Sequence, residues 1–254
     1  MKLKGKVAVV TGGGGAIGGA SAELFAAQGA KVVVSDFNGR TAQQVVDKIR
    51  QAGGEAVLAE ADVSKVPETA KIIQAAMDAF GRVDVLFNVA GVELVKSLHE
   101  HTEEDYDRVM GVSLKGSFFC AKYAVQQMMK QGSGVIINMG SIAALNGHAQ
   151  LASYCAAKGA LINFTKYLAI EYAPYNIRSN CICPGTIATE MVKRAAAANP
   201  DLVEKNVLQH PLGRMGEVRE ISDVALFLAS DEASFITGVS IPVDGGYSAG
   251  KVYR

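Results

Sequence analysis

Short apolar runs rich in β-branched residues alternate with helical patterns along the whole 254-residue chain. The runs cover residues 6–11, 31–36, 55–59, 83–88, 134–139, 176–183 and 239–243. Strands that are apolar throughout and separated by helices are typical of a parallel sheet covered on both faces, because each right-handed crossover helix packs back on its sheet. The sequence therefore predicts an α/β fold, a doubly wound parallel sheet of about seven strands with helices on both faces.

Helical spacing fills the segments between these runs, at residues 20–28, 39–52, 66–80, 103–131, 153–173 and 217–229. Gly29, Gly53 and Gly81 follow three of the segments, where glycine ends helices in a left-handed conformation. No linker or repeat divides the chain, so we expect residues 1–254 to form a single domain. The Ala-rich stretch 186–215, interrupted by prolines and glycines, follows a strand end and predicts a substrate lid.

Composition restricts the class of partner. The 25 Lys and Arg residues balance 25 Asp and Glu residues, so no net charge draws the chain to nucleic acid or to an anionic membrane. A small-molecule substrate fits better. No apolar stretch reaches the roughly 18 residues that span a bilayer, and the basic N-terminus lacks a signal-peptide pattern, so we expect a cytoplasmic protein.

The cysteines and histidines show no metal-binding spacing. We expect all four cysteines to be reduced and to act as small core residues: Cys120, Cys155, Cys181 and Cys183. His99 and His101 lie in an acidic, polar stretch, where two histidines two residues apart are typical of a solvated loop. No metal site is predicted.

A glycine-rich turn connects the first predicted strand directly to the first helix. Gly12, Gly15, Ile17 and Gly18 are candidate cofactor contacts in this turn. Glycines let the backbone approach a pyrophosphate, whose charge is stabilised by free N–H groups at the start of the helix. The strand before the turn and the helix after it strengthen the signal, which indicates a dinucleotide cofactor.

Asp36 ends the second predicted strand, eighteen residues beyond Gly18. A carboxylate about 20 residues beyond such a turn accepts hydrogen bonds from the adenosine ribose hydroxyls, and it repels a 2′-phosphate. Phe37 follows it, and residues 13–15 include no Lys or Arg, so NAD is favoured over NADP. The alternative is that Asp36 only turns or caps the chain before Asn38.

These motifs resemble those of the short-chain dehydrogenase/reductase family, and the resemblance covers almost the whole chain. Residues 11–18 resemble the family's TGxxxGxG turn, with Ala16 in place of the middle glycine. Asp62 and Val63 match its Asp-Val pair at the adenine. The resemblance implies a Rossmann-like, NAD(P)-binding oxidoreductase domain that acts on CH–OH groups.

Three further segments carry the resemblance. Residues 88–91 resemble the family's NNAG strand end with Val89 for the second Asn, and residues 244–246 match its last strand exit. Residues 184–189 resemble the Pro-Gly segment beside the nicotinamide carboxamide. The candidate cofactor contacts implied here are Asn88, Ala90, Gly91, Pro184, Gly185, Ile187 and Thr189.

Tyr154 and Lys158 are four residues apart on a predicted helix and therefore share one face. A tyrosine phenol has a pKa of about 10 in solution, and a nearby cation lowers that pKa. Ser141 follows the strand at 134–139, so its hydroxyl emerges at the carboxyl end of the sheet, where this fold binds ligands. The three residues predict proton exchange with a substrate oxygen, whereas a Tyr–Lys pair alone would equally suit a surface helix.

In the family, the matching serine hydrogen-bonds the substrate oxygen, the tyrosine exchanges the proton, and the lysine also binds the nicotinamide ribose. The resemblance implies these roles for Ser141, Tyr154 and Lys158, the latter two also as cofactor contacts. Residues 112–116 depart from the family's V-N-L-x-G run, because Ser113 replaces the asparagine that supports a proton-relay water, partly through its main-chain carbonyl. Serine keeps that carbonyl, so we expect activity with an altered relay.

Candidate substrate-pocket residues flank these motifs. They are Glu93, Leu94, Ile142, Ala143, Ala144, Leu145, His148, Leu151, Ile187, Met191 and Val192. Most are apolar or small, which suits a neutral secondary alcohol or ketone, including a cyclic one. Lys193 and Arg194 offer an alternative grip on a substrate carboxylate, although long cations on an Ala-rich helix are more often solvated.

Three functions fit the sequence. The leading one is an NAD-dependent oxidoreductase that transfers a hydride between nicotinamide and a secondary alcohol or ketone by a Ser-Tyr-Lys mechanism. The second, a 3-oxoacyl-thioester reductase, would normally use NADPH, and Asp36 counts against it. The third, a non-catalytic dinucleotide sensor, would be expected to lose Tyr154 or Lys158.

The family resemblance also implies a homotetramer. Helices at 103–131 and 153–173 would form one contact between subunits, and residues 238–254 would contribute to another. Ala156, Ala157 and Ala160 are small residues that suit close helix approach.

Overall fold

A computed structural model describes residues 1–189, 192 and 207–250. Within these residues seven strands form one parallel sheet in the order β3-β2-β1-β4-β5-β6-β7. The strands are β1 Val7–Thr11, β2 Lys31–Asp36, β3 Ala56–Glu60, β4 Val85–Asn88, β5 Gly134–Met139, β6 Ile177–Pro184 and β7 Ser240–Val243. The predicted single-domain α/β fold with a doubly wound sheet is confirmed.

Helices connect these strands and cover the sheet. In the described part of the chain they are α1 Ala16–Ala27, α2 Gly39–Gln51, α3 Val66–Phe80, α4 Glu103–Met110, α5 Ser117–Gln131, α6 Ala152–Glu171 and α7 Val218–Ala229. None of these helices is long and apolar enough to cross a membrane.

Two of the predicted helices differ from the structure by more than two residues. Helix α1 begins at Ala16 and not at residue 20, since Gly15 is its N-cap and the following glycines are helical despite their low helix propensity. The helix predicted at 103–131 is divided by a π-helical segment, Gly111–Gly116, between α4 and α5. Such segments are frequent at functional sites, and this one contains Ser113.

Both faces of the sheet are buried, as its uniformly apolar strands require. The side chains of β1 alternate between two cores. Ala8 and Val10 pack with α1, α2 and α7, whereas Val7 and Val9 pack with α3, α5 and α6. Burial of each such side chain contributes about 1.5–3 kcal/mol, so the two cores hold the strand ends in place.

The cysteines are all free thiols. Three are buried as predicted: Cys120, Cys181 and Cys183. The prediction is wrong for Cys155, which is partly exposed because it lies next to Tyr154 at the N-terminal end of α6. The residues that the structure describes contain no cluster of three or more metal-ligating side chains.

His99 is exposed, but the solvated-loop interpretation is wrong for His101. One ring nitrogen of His101 lies 3.0 Å from the Ser97 carbonyl oxygen, and the other lies 3.2 Å from the Ser153 hydroxyl. His101 therefore joins its loop to the first turn of α6. This contact spans about fifty residues of sequence and has no local signature.

Candidate active site

The strand order changes direction between β1 and β4, which creates the crevice where α/β sheets bind ligands. Thr11, at the end of β1, joins the two strand ends. Its Oγ1 accepts hydrogen bonds from the N–H groups of Val89 at 3.1 Å and Ala90 at 3.3 Å. The glycine turn after Thr11 and the segment after Asn88 therefore lie side by side.

The glycine turn has no room for larger side chains. Gly12 adopts a left-handed φ of 65°, and a Cβ there would lie 2.9 Å from the main chain of Ala90. Gly18 is buried against the carbonyl of Gly12. Helix α1 starts at the exposed Gly15, and its first turn has neither a side-chain cap nor an acidic residue. Its first N–H groups are therefore open to an anion.

Ala16 and Ile17, the first two residues of α1, differ in their exposure to solvent. Ala16, the departure from the family turn, is exposed, so its methyl group displaces no neighbouring side chain. Ile17 is half-buried and packs against the core. Only the main chain of Ile17 is therefore placed to contact a pyrophosphate.

Asp36 joins the glycine turn to the second strand. Its Oδ2 accepts from the N–H of Gly14 at 3.0 Å, and its Oδ1 accepts from the N–H of Asn38 at 3.0 Å. Asn38 caps α2 through Thr41, so Asp36 is not the helix cap. Phe37 is 77% exposed beside it. Each carboxylate oxygen keeps a second lone pair that can accept from a ribose hydroxyl.

Asp62 and Val63 lie at the start of α3. The Oδ1 of Asp62 accepts from the hydroxyl of Ser64 at 2.7 Å and from its N–H at 3.0 Å, and these hydrogen bonds lower the pKa of Asp62. Val63 is buried beneath Gly116, where a Cβ would lie 2.8 Å from it. Val63 therefore supports the π-helical segment as well as this side of the crevice.

Asn88 is 1% exposed, so its side chain supports the crevice from behind, and only its main chain is left for the predicted cofactor contact. Its Nδ2 donates to Oδ1 of Asn138 at 3.0 Å, and Asn138 donates to the hydroxyl of Thr165 at 2.9 Å. These buried contacts tie β4, β5 and α6 together. Ala90 and Gly91, farther along the chain, are accessible at the crevice.

The segment after β6 is fastened by the C-terminal part of the chain. It begins at Pro184, the last residue of β6. The N–H of Gly185 donates to the carbonyl of Val243 at 3.0 Å, and the N–H of Thr186 donates to Nε2 of His210 at 3.1 Å. His210 is buried and was not singled out from the sequence, because no local motif links it to the Pro-Gly segment.

Ile187 pairs with Gly216 and is 5% exposed, so its side chain packs into the core. The N–H of Thr189 donates to the carbonyl of Ile187 at 2.7 Å, and the Thr189 hydroxyl accepts from the N–H of Val192 at 3.3 Å. Met191, Lys193, Arg194 and most of the predicted lid lie outside the described residues.

Ser141, Tyr154 and Lys158 converge at the carboxyl end of β5. The Ser141 Oγ accepts from the N–H of Ala143 at 3.1 Å, and its hydroxyl acts on the Tyr154 phenol to lower the pKa of that phenol. Lys158 is 2% exposed, and its Nζ lies 5.6 Å from the centroid of the Tyr154 ring. The Lys158 Nζ donates to the carbonyl of Met139 at 2.7 Å. A hydroxyl, a phenol and an ammonium thus share one site.

Burial sets the pKa values of this site. It raises the pKa of Tyr154 to about 12; the charge of Glu93 adds to the rise, and the Ser141 hydrogen bond opposes it. Burial also lowers the pKa of Lys158 to about 8. The direction of the Tyr154 pKa shift is opposite to the one predicted from its spacing to Lys158, because loss of hydration is the largest effect and the charge of Glu93 adds to it. A further positive charge in the crevice would lower the pKa of the phenol.

Ser113 is buried in the π-helical segment, and its hydroxyl binds the loop after β4. Its Oγ accepts from the N–H of Val92 at 3.1 Å and lies 3.2 Å from the Val92 carbonyl, to which it donates. The Ser113 carbonyl lies 3.5 Å from the hydroxyl of Ser117. The Ser113 hydroxyl is therefore engaged with main chain on both sides.

The predicted pocket residues after Ser141 lie partly inside the fold. Ile142 and Ala143 are buried, Ala144 is half-buried, and Leu145 is 38% exposed. Leu145 and Ala144 are therefore the members of this group most accessible to a substrate.

His148 lies under the C-terminal segment of the described chain. Its ring stacks on Tyr247 with the centroids 5.6 Å apart, and burial lowers its pKa. Tyr247 also contacts the His210 ring at 5.2 Å and donates to Gln209 at 3.0 Å. Tyr247 was not predicted, since it lies nearly a hundred residues beyond His148.

Glu93, Leu94 and Leu151 lie close to the helix that bears Tyr154. Glu93 is exposed and Leu94 is half-buried on the loop after Gly91. Leu151 is the N-cap of α6 and is half-buried. The charge of Glu93 raises the pKa of Tyr154.

Comparison with known proteins agrees with this geometry. A family profile described as enoyl-(acyl carrier protein) reductase matches residues 14–248. Meso-2,3-butanediol dehydrogenase of Serratia marcescens is 38% identical over 98% of this chain and 97% of its own. Cyclohexanol dehydrogenase of Acinetobacter sp. strain SE19 is 39% identical over 98% and 97% of the two chains. The structure of an NAD⁺-bound xylitol dehydrogenase has a TM-score of 0.93 at 32% identity, covering 97% of this chain and 100% of that one. This chain therefore belongs to the short-chain dehydrogenase/reductase family of oxidoreductases.

Proposed function

We propose that the protein is an NAD(H)-dependent oxidoreductase that interconverts neutral secondary alcohols and ketones. The observation that carries this proposal is the convergence of Ser141, Tyr154 and Lys158 at the carboxyl end of the sheet. A proton carrier there lies at the edge where this fold binds dinucleotides.

The residues of the chain divide the acid–base work. The Ser141 hydroxyl holds the substrate oxygen, and Tyr154, whose pKa the Ser141 hydroxyl lowers, exchanges a proton with that oxygen. Lys158, held by the carbonyl of Met139, stabilises the phenolate form of Tyr154. When bound, the nicotinamide supplies the acceptor of the hydride in oxidation and its donor in reduction.

The crevice fits a dinucleotide on the chemistry of its own residues. Glycine at position 12 lets the turn pack closely on the main chain of Ala90, and the exposed, uncapped start of α1 at Gly15 offers open N–H groups to a phosphate. Asp36 has acceptor capacity for ribose hydroxyls and would repel a 2′-phosphate. The NAD⁺-bound relative is consistent with this preference.

The pocket supports neutral substrates. Its accessible members after Ser141 are apolar, and the two relatives named above are, by their names, dehydrogenases of a diol and of a cyclic alcohol. A 3-oxoacyl-thioester reductase stands second. The matched profile is described as an enoyl reductase, so it shares with this candidate only the acyl-carrier-protein thioester, and Asp36, which disfavours NADPH, counts against the candidate.

A panel of secondary alcohols and ketones, followed by NADH absorbance with NADP(H) in parallel, tests the proposal. A 3-oxoacyl thioester is included in the reducing direction. We expect turnover of neutral alcohols with NAD and a much lower kcat/KM with NADP. Turnover of the thioester alone would establish the second candidate, and dinucleotide binding without any turnover would favour a sensor.

We also propose that the chain forms a homotetramer. The outer faces of α4, α5 and α6 carry exposed apolar side chains: Tyr106, Phe118, Tyr167 and Ile170. A groove of about 1070 Å³ lies between these helices and includes Phe118, Phe164 and Tyr167 in its lining. A second copy would bury this patch. Ala156 and Ala160 are accessible there. Ala157 is buried, so its side chain is not available for the helix contact that was predicted for it.

Light scattering at micromolar concentration tests the assembly. We expect the mass of four chains, and only monomer would contradict the proposal. The second contact, through residues 238–254, is tested by truncation after residue 246, which should leave dimers.

A further inference from the structure

A short loop, residues 91–96, crosses the catalytic site. It begins at Gly91, where a Cβ would lie 3.2 Å from the Nζ of Lys158. It ends at Lys96, which pairs with Leu151 at the N-cap of α6. The 91–96 loop therefore runs alongside α6 from Lys158 to Leu151.

Tyr154 lies between these two anchor points on α6. The loop is held at both ends by side chains as well. Ser113 hydrogen-bonds both the N–H and the carbonyl of Val92. The Nζ of Lys96 forms an ion pair with Asp105 at 2.6 Å, at the start of α4. The loop is therefore fixed at both ends, and its middle spans the part of α6 that bears Tyr154.

Glu93 occupies the middle of this loop and has no partner. Throughout the described part of the chain, its carboxylate makes neither a hydrogen bond nor an ion pair. The residue is exposed overall, but neighbouring atoms remove enough water from the carboxyl to raise its pKa. Its charge in turn raises the pKa of Tyr154. An unpaired acceptor is thus carried by the loop two residues beyond Gly91, which lies against the Nζ of Lys158.

A carboxylate accepts hydrogen bonds and offers none while it is ionised. A substrate that brings a donor to it restores part of its lost hydration, whereas an apolar substrate leaves it unpaired and a substrate carboxylate is repelled. We infer that Glu93 accepts a hydrogen bond from a second hydroxyl group of the substrate, so that diols and hydroxy ketones are preferred over simple alcohols and ketones. This inference rests on the proposed function and names its substrate class.

Three four-carbon substrates that differ in one group test the inference. They are 2-butanol, 2,3-butanediol and 3-hydroxybutyrate, each supplied as its mixture of stereoisomers. The kcat/KM with NAD is measured for the wild type, Glu93→Gln, Glu93→Leu and the control Glu100→Gln, which alters an exposed glutamate outside the loop. Thermal unfolding and NAD binding of each variant confirm that it is folded.

The readout is the ratio of kcat/KM for the diol to kcat/KM for 2-butanol within each protein. We expect at least about a tenfold ratio in the wild type and in Glu100→Gln, the effect of roughly 1.4 kcal/mol from one hydrogen bond to a charged group. Glu93→Gln keeps an acceptor oxygen and should give an intermediate ratio. The ratio for Glu93→Leu should approach two, because the diol has two oxidisable hydroxyls and 2-butanol has one. The kcat/KM for 3-hydroxybutyrate relative to that for 2-butanol should rise in both Glu93 variants.

Several outcomes overturn the inference and leave the proposed function standing. A ratio near two in the wild type is one, and it does not depend on any variant folding. A wild-type ratio retained in a folded Glu93→Leu or Glu93→Gln is another, as is an equal fall in Glu100→Gln. If the wild type oxidises neither these three substrates nor any secondary alcohol of the wider panel described above, the proposed function itself fails and the inference fails with it.

Discussion

The Nζ of Lys158 donates a 2.7 Å hydrogen bond to the carbonyl of Met139, the last residue of β5. Lys158 is almost fully buried, and one carbonyl replaces only part of the hydration that an ammonium loses. This imbalance lowers the pKa of Lys158 to about 8. The end of β5 therefore holds the Lys158 ammonium at Met139, two residues before Ser141 in the chain. The hydration that the ammonium loses lowers the stability of the fold.

Lys158→Met should reveal that cost as a function of pH. The pKa of Lys158 is lower in the folded than in the unfolded chain, so the unfolded chain binds more protons between about pH 8 and pH 10.4. The free energy of unfolding of the wild type, relative to Lys158→Met, should therefore rise across this window by up to roughly 3 kcal/mol. Chemical denaturation at pH 7 to 10 measures it.

Lys122→Met is the matched control, because Lys122 is exposed on α5. Its difference from the wild type should stay flat over the same pH range. Tyr154 cancels in this comparison, because its folded pKa of about 12 keeps it protonated in both folded proteins below pH 10 and its titration in the unfolded chain is the same in both. A flat difference for Lys158→Met would mean that its ammonium is fully compensated in the folded protein.

Tyr154→Phe should lower kcat for alcohol oxidation by about 10²–10⁴, the contribution of general acid–base transfer. Affinity for NAD should change little, because only the phenol hydroxyl is removed. Steady-state kinetics and NAD titration measure the two effects. Tyr106→Phe, at an exposed tyrosine of α4, should behave as the wild type. Retention of more than about a tenth of kcat would contradict the role of Tyr154.

The fold was predictable because its signal is periodic. Each buried strand is a continuous apolar run, and each crossover helix repeats its apolar side chains, so both types of element follow from composition and spacing. The π-helical segment Gly111–Gly116 could not be predicted, since a shift of hydrogen bonding within six residues leaves the apolar pattern nearly unchanged. The start of α1 at Ala16 was missed because consecutive glycines argue against a helix.

The candidate site was predictable where its geometry is local. Tyr154 and Lys158 follow from helical spacing, and Ser141 follows from its place after a strand. His210 and Tyr247 reach the site through the return of the chain from a distant segment, which no short motif records. The direction of the Tyr154 pKa also could not be predicted, because it depends on burial and not on the distance to Lys158 alone.

Asp36→Ala should lower kcat/KM for NAD by about ten- to a hundredfold, since hydrogen bonds to a charged group contribute about 1.5–3 kcal/mol. Use of NADP should improve relative to NAD, because the repulsive charge is gone. Asp36→Asn separates charge from shape: its amide oxygen can still accept from Gly14 or Asn38. If neither substitution changes the ratio of kcat/KM for NAD to kcat/KM for NADP, residues other than Asp36 determine the choice of cofactor.

Ser113→Ala should lower kcat by less than about tenfold, because the Ser113 hydroxyl is engaged with Val92 and only its main-chain carbonyl is left for a relay. The melting temperature should fall, since both main-chain groups of Val92 lose their partner. Ser117→Ala, a neighbouring buried serine, is the control for stability. A kcat loss above about a hundredfold, with KM and melting temperature unchanged, would instead make the hydroxyl a relay member.

Glu93→Gln should shift the acidic limb of the pH profile of kcat/KM to lower pH. The titratable groups around Tyr154 are Lys158, which favours the phenolate, Glu93, whose charge opposes it, and the thiols of Cys155 and Cys183. Removing the Glu93 charge lowers the pKa of Tyr154, and oxidation requires the phenolate. With 2-butanol as substrate, the shift reports on Tyr154 and not on a second hydroxyl.

The same experiment carries its own controls. Glu100→Gln should leave the acidic limb in place, because Glu100 is exposed outside the 91–96 loop. Glu93 is exposed to solvent as a residue, so 1 M salt, with a Debye length of about 3 Å, should narrow the gap between wild type and Glu93→Gln. The gap should also close below the pKa of Glu93, where its carboxyl is neutral in the wild type. An acidic limb that stays in place or moves to higher pH in Glu93→Gln would show that Glu93 does not act on the phenol of Tyr154.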